Sequence, residues 1–102
     1  MIELYQAEWC PHSHRVRQRL TELGLDFVAR QVAVEPAQRD AMERATGRRG
    51  IPTLVFDDGS VVGDEDAIIA ALDRRHAEPP DAVRQRAKAI AEWPEWLRLA
   101  GS

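Results

Sequence analysis

The sequence predicts an α/β domain: a four-stranded mixed sheet with helices on both faces, in the order β-α-β-α-β-β-α, and one extra helix at the C-terminal end. Three stretches carry that prediction. An amphipathic run from Pro11 to Leu23 lies between two short β-forming runs, the arrangement of a parallel βαβ unit. Asp57-Asp58-Gly59-Ser60 separates two apolar runs and reads as a hairpin turn. A second amphipathic run follows Asp64.

Taken in order, Ile2-Glu3-Leu4-Tyr5 alternates and carries β-formers, so it is the first strand. Pro11 suits the first position of a helix, where its missing N–H costs nothing. Val16, Leu20 and Leu23 then form an apolar stripe, and Gly24 supplies the left-handed stop. Residues 26–34, with Phe27, Val28, Val32 and Val34, predict the second strand. Pro36 opens a weaker helix over Ala37 to Thr46, which Gly47 stops. Thr53 to Phe56 and Ser60 to Val62 are the arms of the hairpin. Asp64 is the expected cap of a helix carrying Ala67, Ile68, Ala71 and Leu72 and ending near His76. Residues 81–92 predict the last helix, with Val83, Ala87 and Ile90 facing inward and Pro94 breaking it. Trp93 and Trp96 are expected to pack the tail onto the helical layer. The domain proper covers residues 1–77, and residues 78–102 form a helical extension packed on it.

Composition narrows the function. A length of 102 residues supports one modest core, and 44% apolar with 30% charged residues is the balance of a globular protein. A net charge of −3 gives no case for nucleic acid. No apolar run approaches the roughly 20 residues that span a bilayer, and the N-terminus does not read as a signal peptide. The single cysteine excludes an internal disulfide framework and points to a reducing cytoplasm. That cysteine, Cys10, falls where a strand meets a helix N-terminus. First-turn N–H groups and the helix dipole favour an anionic sulfur there.

These residues carry a family resemblance. Cys10-Pro11-His12-Ser13 resembles the C-P-x-S active site of glutaredoxins. Gly50-Ile51-Pro52 resembles the family's T-V-P segment, whose proline is cis, and Val62-Gly63-Asp64-Glu65-Asp66 resembles its G-G-x-[ST]-D stretch. Glu65-Asp66-Ala67-Ile68 is also similar to the E-S-x-A-I motif of the glutathione transferase N-terminal domain. The order and spacing match over residues 1–77. The resemblance implies a thioredoxin-like, glutaredoxin-like fold.

It further implies a thiol–disulfide oxidoreductase with Cys10 as catalytic nucleophile and Pro11, His12 and Ser13 completing the motif. Glutathione or a comparable small thiol would be the co-substrate, held by Arg49, Ile51, Pro52, Glu65 and Asp66. In this assignment the Ile51 backbone pairs with the cysteinyl part of glutathione and Asp66 accepts a bond from its α-ammonium. Arg48 or Arg49 would meet the glycyl carboxylate. Ser13 replaces the resolving cysteine of dithiol relatives, so the expected cycle uses one thiol. Its hydroxyl is expected both to satisfy first-turn N–H groups and to reach the Cys10 sulfur. Partners would be glutathionylated or mixed-disulfide proteins, with no nucleic acid, no membrane and no tightly bound cofactor, and the chain would be a monomer or weak dimer.

Departures from the pattern leave other readings open. The lysine that many glutaredoxins carry three residues before the cysteine is Ala7 here, and Glu8 lies closer still. Both weaken thiolate stabilisation and glutathione binding unless protonated His12 and His14 compensate. Glu65 replaces a Ser/Thr, which pulls toward a relative of the glutathione transferase N-terminal domain. A non-enzymatic module binding a cluster or a partner is the third reading. Cys10, His12 and His14 lack a fourth ligand and a zinc spacing, so no metal is expected.

Overall fold

The strands pair in the order β2-β1-β3-β4. The computed structural model describes residues 1–100: β1 (Ile2–Gln6), α1 (Pro11–Leu23), β2 (Phe27–Gln31), a 3-10 turn (Pro36–Gln38), α2 (Asp40–Thr46), β3 (Thr53–Val55), β4 (Val61–Gly63), α3 (Glu65–Arg75) and α4 (Ala82–Ala100). β1 runs parallel to β2, with Leu4 opposite Ala29, and antiparallel to β3, with Leu4 opposite Leu54. β4 returns antiparallel to β3, with Leu54 opposite Val62. This is the thioredoxin-like arrangement expected. No helix among the described residues is long and apolar enough to cross a membrane.

The period-2 alternation of β1 sends Ile2, Leu4 and Gln6 to one face. There they meet the stripes of α1 and α3, and the core joins Ile2, Leu4, Val16, Leu20, Leu23, Leu54, Phe56, Ile68, Ala71 and Leu72. Each fully buried Leu or Ile contributes about 1.5–3 kcal/mol. α1 has the predicted bounds. Gly24 takes φ 69°, and the N–H groups of Gly24 and Leu25 close its last turn onto Thr21 and Leu20. The hairpin turn is also as expected: Gly59 sits at φ 86°, and Asp58 accepts bonds from the N–H and hydroxyl of Ser60. The Arg75 guanidinium lies 3.7 Å over the Phe56 ring and ties α3 to that turn.

Several expectations need correction. β2 stops at Gln31 rather than Val34, because the Ala33 and Val34 carbonyls accept bonds from the buried Arg39 instead of from a strand. Arg39 also interrupts the helix expected over Ala37 to Thr46, which divides into the 3-10 turn and α2. Asp64 occupies the cap position of α3 at φ 71° but makes no capping bond with its side chain, which pairs with Arg48 at 3.2 Å.

α4 departs most from expectation. It runs through Pro94 to Ala100. The ring removes the N–H that would bond the Ile90 carbonyl, but both residues are exposed, and water can satisfy that group. The stripe expected inward faces solvent: Val83 is 63% exposed and Ile90 71%. The face carrying Ala82, Arg86, Ala89, Trp93 and Trp96 turns to the domain instead. Arg86 reaches Glu22 of α1 at 3.1 Å, and Ala82 is fully buried. Trp93 and Trp96 pack the tail on the helical layer as expected, while staying 39% and 48% exposed. They stack on one another at 4.7 Å, and His14 of α1 lies tilted against Trp93 at 4.9 Å and stacked on Trp96 at 6.1 Å.

Candidate active site

Cys10 is the N-cap residue of α1, the position where a side-chain acceptor satisfies a first-turn donor. Its backbone is extended (φ −84°, ψ 117°), and its sulfur accepts the Ser13 N–H at 3.4 Å. The Cys10 N–H bonds the Ala7 carbonyl at 3.1 Å, which fixes the approach to the helix. Pro11 at the next position contributes no donor. Cys10 is buried, with 6% of the residue exposed.

Ser13 is fully buried. Its hydroxyl accepts the Ala7 N–H at 3.5 Å, a weak bond, so the loop engages the hydroxyl while the backbone N–H of Ser13 serves the sulfur. The side chain takes neither expected role: its acceptor serves an N–H of the loop before the helix, and the bond to the sulfur comes from the Ser13 backbone.

The charges around the thiol differ from a bare reading of neighbours. Glu8 pairs with Arg17 at 3.3 Å, so its charge is compensated. Arg17 also donates to Gln6 at 2.5 Å. Burial, and then the Arg17 charge, hold His14 below the ordinary histidine value, against the opposing pull of Glu8. A neutral His14 does not replace the lysine absent at Ala7.

A groove of about 500 Å³ is lined by His12, Arg15, Ile51, Pro52, Asp64, Glu65 and Asp66. The structure thus brings together one residue of the cysteine motif, the Ile51-Pro52 pair and the start of α3. The Ile51–Pro52 peptide is cis. The β1–β3 ladder ends at the Tyr5–Thr53 pair, which leaves the Ile51 backbone outside the sheet. The Pro52 carbonyl accepts the Asp64 N–H at 3.2 Å and joins the loop to α3. Glu65 is held by His12, with Nδ1 2.6 Å from Oε1, and by Arg15 through Oε2. Asp66 is open to solvent, its side chain 95% exposed.

Arg49 lies outside this groove. It bonds Glu43, Asp40 and the carbonyls of Pro36 and Ala37. Arg48 lies against Gly63 and bonds Thr53 and Asp64, both at 3.2 Å. Arg15 is the groove residue that sequence reasoning missed. Its signal is its place five residues after Cys10, on the second turn of the cysteine-bearing helix. A groove of similar size, about 510 Å³, opens on the other side of the sheet among Tyr5, Gln31, Arg39 and Met42, and holds no thiol.

Comparison with known proteins agrees with this geometry. Residues 4–80 match the family described as Glutathione S-transferase, N-terminal domain. Glutaredoxin 3 of Escherichia coli K12 is 30% identical over 79 residues, which cover 78% of this chain and 93% of that protein. A probable glutaredoxin of Synechocystis is 34% identical over 73 residues, covering 71% of this chain and 81% of its own. Among solved structures, glutathione S-transferase 1-6 of Anopheles dirus superposes with a TM-score of 0.66 at 27% identity, over 76% of this chain. This chain spans only 37% of that transferase. The chain belongs to the glutaredoxin-like proteins and glutathione S-transferase N-terminal domains that share the thioredoxin fold.

Proposed function

We propose that this protein is a thiol–disulfide oxidoreductase that works through one cysteine and uses glutathione or a comparable small thiol. The Cys10 thiolate attacks the glutathionyl sulfur of a protein mixed disulfide. The Cys10–glutathione disulfide forms, and the protein thiolate leaves and takes a proton. A second small thiol, as its thiolate, then attacks the bound glutathionyl sulfur. This releases the Cys10 thiolate and one molecule of small-thiol disulfide. Ser13 cannot resolve the mixed disulfide, which keeps the cycle dependent on a second thiol.

The observation that carries the proposal is the Ser13 N–H on the Cys10 sulfur at a helix N-terminus, on the helix that also lines the groove. The Ile51 backbone is assigned to the cysteinyl part of the ligand, against Pro52, and Asp66 to its ammonium. Glu65 closes that end of the groove, and Arg49 supports the loop from α2. Residues 1–77 are taken as the catalytic domain and residues 78–102 as an extension of it. A reducing compartment such as the cytoplasm suits an exchange that must return Cys10 to the thiol. The test is turnover of a glutathionylated peptide with reduced glutathione by the full chain and by Cys10→Ser. Activity lost in the variant with its fold intact supports the assignment. An inactive wild-type chain rejects it.

The family match over residues 4–80 favours a second reading, in which the groove binds glutathione for transfer to an electrophile. Conjugation of a chloronitrobenzene acceptor, with no disulfide turnover, would select it.

A further inference from the structure

Val83, Ala87, Ile90, Pro94 and Leu97 follow one another on α4 at alternating steps of four and three residues, the spacing of a seam that packs on another helix. The structure leaves this whole side in solvent. Val83 is 63% exposed, Ile90 71% and Leu97 49%, and Ala87 and Pro94 are exposed between them. The neighbouring side of the same helix already meets the domain through Ala82, Arg86 and the two tryptophans. The seam runs for about 21 Å, roughly four turns. Single exposed apolar residues are ordinary, but a continuous stripe rimmed by charge marks a contact surface. Among the described residues, this stripe and the groove beside Cys10 have no residue in common.

We propose that this seam is the interface of a weak dimer, in which α4 of a second copy lies antiparallel against it across a two-fold axis at Ile90. The flanking charges single out that occupant. Asp81 and Arg84 lie at one end and Glu95 and Arg98 at the other, each more than half exposed. Turned end for end, this pattern is its own complement. With Ile90 on Ile90, Val83 meets Leu97 of the second copy and Ala87 comes near its Pro94. Arg84 then approaches Glu95, and Asp81 approaches Arg98. A parallel copy would set Arg84 on Arg84 and Glu95 on Glu95, which repels. One patch that meets itself across a two-fold axis closes at two copies. A single helix-on-helix seam is small beside the roughly 1,200–2,000 Å² of a stable specific interface, so the dimer is weak.

Sedimentation equilibrium of the full chain under reducing conditions tests the interface. The mean mass is expected to rise from monomer toward dimer as the concentration is raised to about 1 mM. Ile90 lies mostly in solvent, so Ile90→Glu leaves the core intact. It is expected to raise the Kd about tenfold or more with an unchanged circular dichroism spectrum. A chain that stays monomeric at every concentration overturns the proposal and leaves the seam to a different protein. A dimer that Ile90→Glu does not weaken overturns it by placing the contact on another face.

Orientation is read with cysteines placed in a Cys10→Ser chain, which removes the native thiol. Antiparallel copies hold positions 83 and 97 side by side and keep the two copies of position 83 about 21 Å apart, far beyond the reach of a disulfide. On oxidation with diamide, Val83→Cys mixed with Leu97→Cys is expected to give at least about threefold more linked dimer than either chain alone. Val83→Cys chains that join one another as readily as the mixture would show a parallel pair and overturn the antiparallel arrangement. Neither measurement depends on the chemistry assigned to Cys10.

Discussion

The backbone N–H of Ser13 points at the Cys10 sulfur from 3.4 Å. The Ser13 side chain stands at the position of a resolving thiol but is turned to the Ala7 N–H. Replacing Ser13 by Cys leaves the backbone bond in place and puts a second sulfur one helical turn from the first. The Ser13→Cys chain is expected to close an intramolecular disulfide on oxidation with diamide. Its titratable thiols would fall from two to none, while the wild-type chain retains its one-thiol chemistry. Two thiols persisting after oxidation would show that the first turn of α1 cannot bring the sulfurs together.

Gly63 faces Arg48. A Cβ built at Gly63 would overlap the Arg48 guanidinium, which lies between Thr53 and Asp64. The guanidinium is the far end of a flexible side chain, so Gly63→Ala displaces it and forfeits its two bonds rather than breaking the sheet. The expected cost is about 1 kcal/mol. In the Arg48→Ala background the same substitution should cost almost nothing, because the obstacle is gone. Chemical denaturation of the four chains measures this. Equal costs in both backgrounds would assign the effect to the β3–β4 backbone.

These two relationships mark what was legible in the sequence. Cys10, Pro11 and Gly24 bracket α1 because caps, prolines and left-handed glycines act locally. The Asp57–Ser60 turn was legible for the same reason. The orientation of α4 was not. Val83, Ala87 and Ile90 form a proper stripe, yet it faces solvent while Arg86 meets Glu22 and Trp93 meets His14 of α1. α4 carries a second stripe, Ala82, Arg86, Ala89, Trp93 and Trp96, and the choice between the two rests on partners in α1 such as Glu22, 64 residues from Arg86. The same holds at the groove. Glu65 and Asp66 were found by motif, but their unlike exposures depend on His12 and Arg15, more than 45 residues earlier. Arg39 was missed because a guanidinium satisfied by three backbone carbonyls leaves no charge pattern to read.

The α1–α4 joint makes a pH-dependent prediction. Burial pushes the Glu22 carboxyl up, but bonds from Gln18, Arg19 and Arg86 outweigh it and hold the group below its ordinary 4.5. A carboxyl depressed in the folded state contributes stability that is present above the unfolded value and is lost as pH falls through the folded one. Glu22→Gln should therefore lower stability near neutral pH by about 1–3 kcal/mol, the usual effect of losing charge-assisted bonds. The gap to wild type should close well below pH 4. A gap that stays constant down to pH 3 would mean that shape rather than charge joins the helices.

Arg49 separates a ligand contact from a loop support. Its donors serve Asp40, Glu43 and two carbonyls of the 3-10 turn, and Arg39 bonds the Arg49 carbonyl at 2.8 Å. Arg49→Gln is expected to lower the melting temperature and to leave the KM for glutathione within about twofold. Support from α2 changes the stability of the loop more than the charge of the groove. A tenfold rise in KM at unchanged stability would place the guanidinium on the ligand.

The aromatic stack beside the cysteine helix responds to acid in a separate window. His14 lies 4.9 Å from Trp93 and 6.1 Å from Trp96, ring to ring. Burial, then Arg17, lower its affinity for a proton, and Glu8 opposes them. The folded value therefore lies below the ordinary 6.5 that the unfolded chain retains. The proton is bound more readily by the unfolded state, so stability is fully present above about pH 6.5 and falls as pH drops through the folded value. This window opens below about pH 6.5 and that of Glu22 below about pH 4.5, so acid reaches the histidine first. The melting temperature should fall between pH 7 and pH 5 in the wild-type chain and fall less in His14→Gln. Over the same range Trp93 and Trp96 should change emission only in the wild type, because a charged ring is poorly accommodated at a partly desolvated stack flanked by Arg17. A His14→Gln chain that follows the wild-type acid profile would move the titration to another group. An unchanged emission with a falling melting temperature would show that the stack survives protonation, as a cation held against the two indoles.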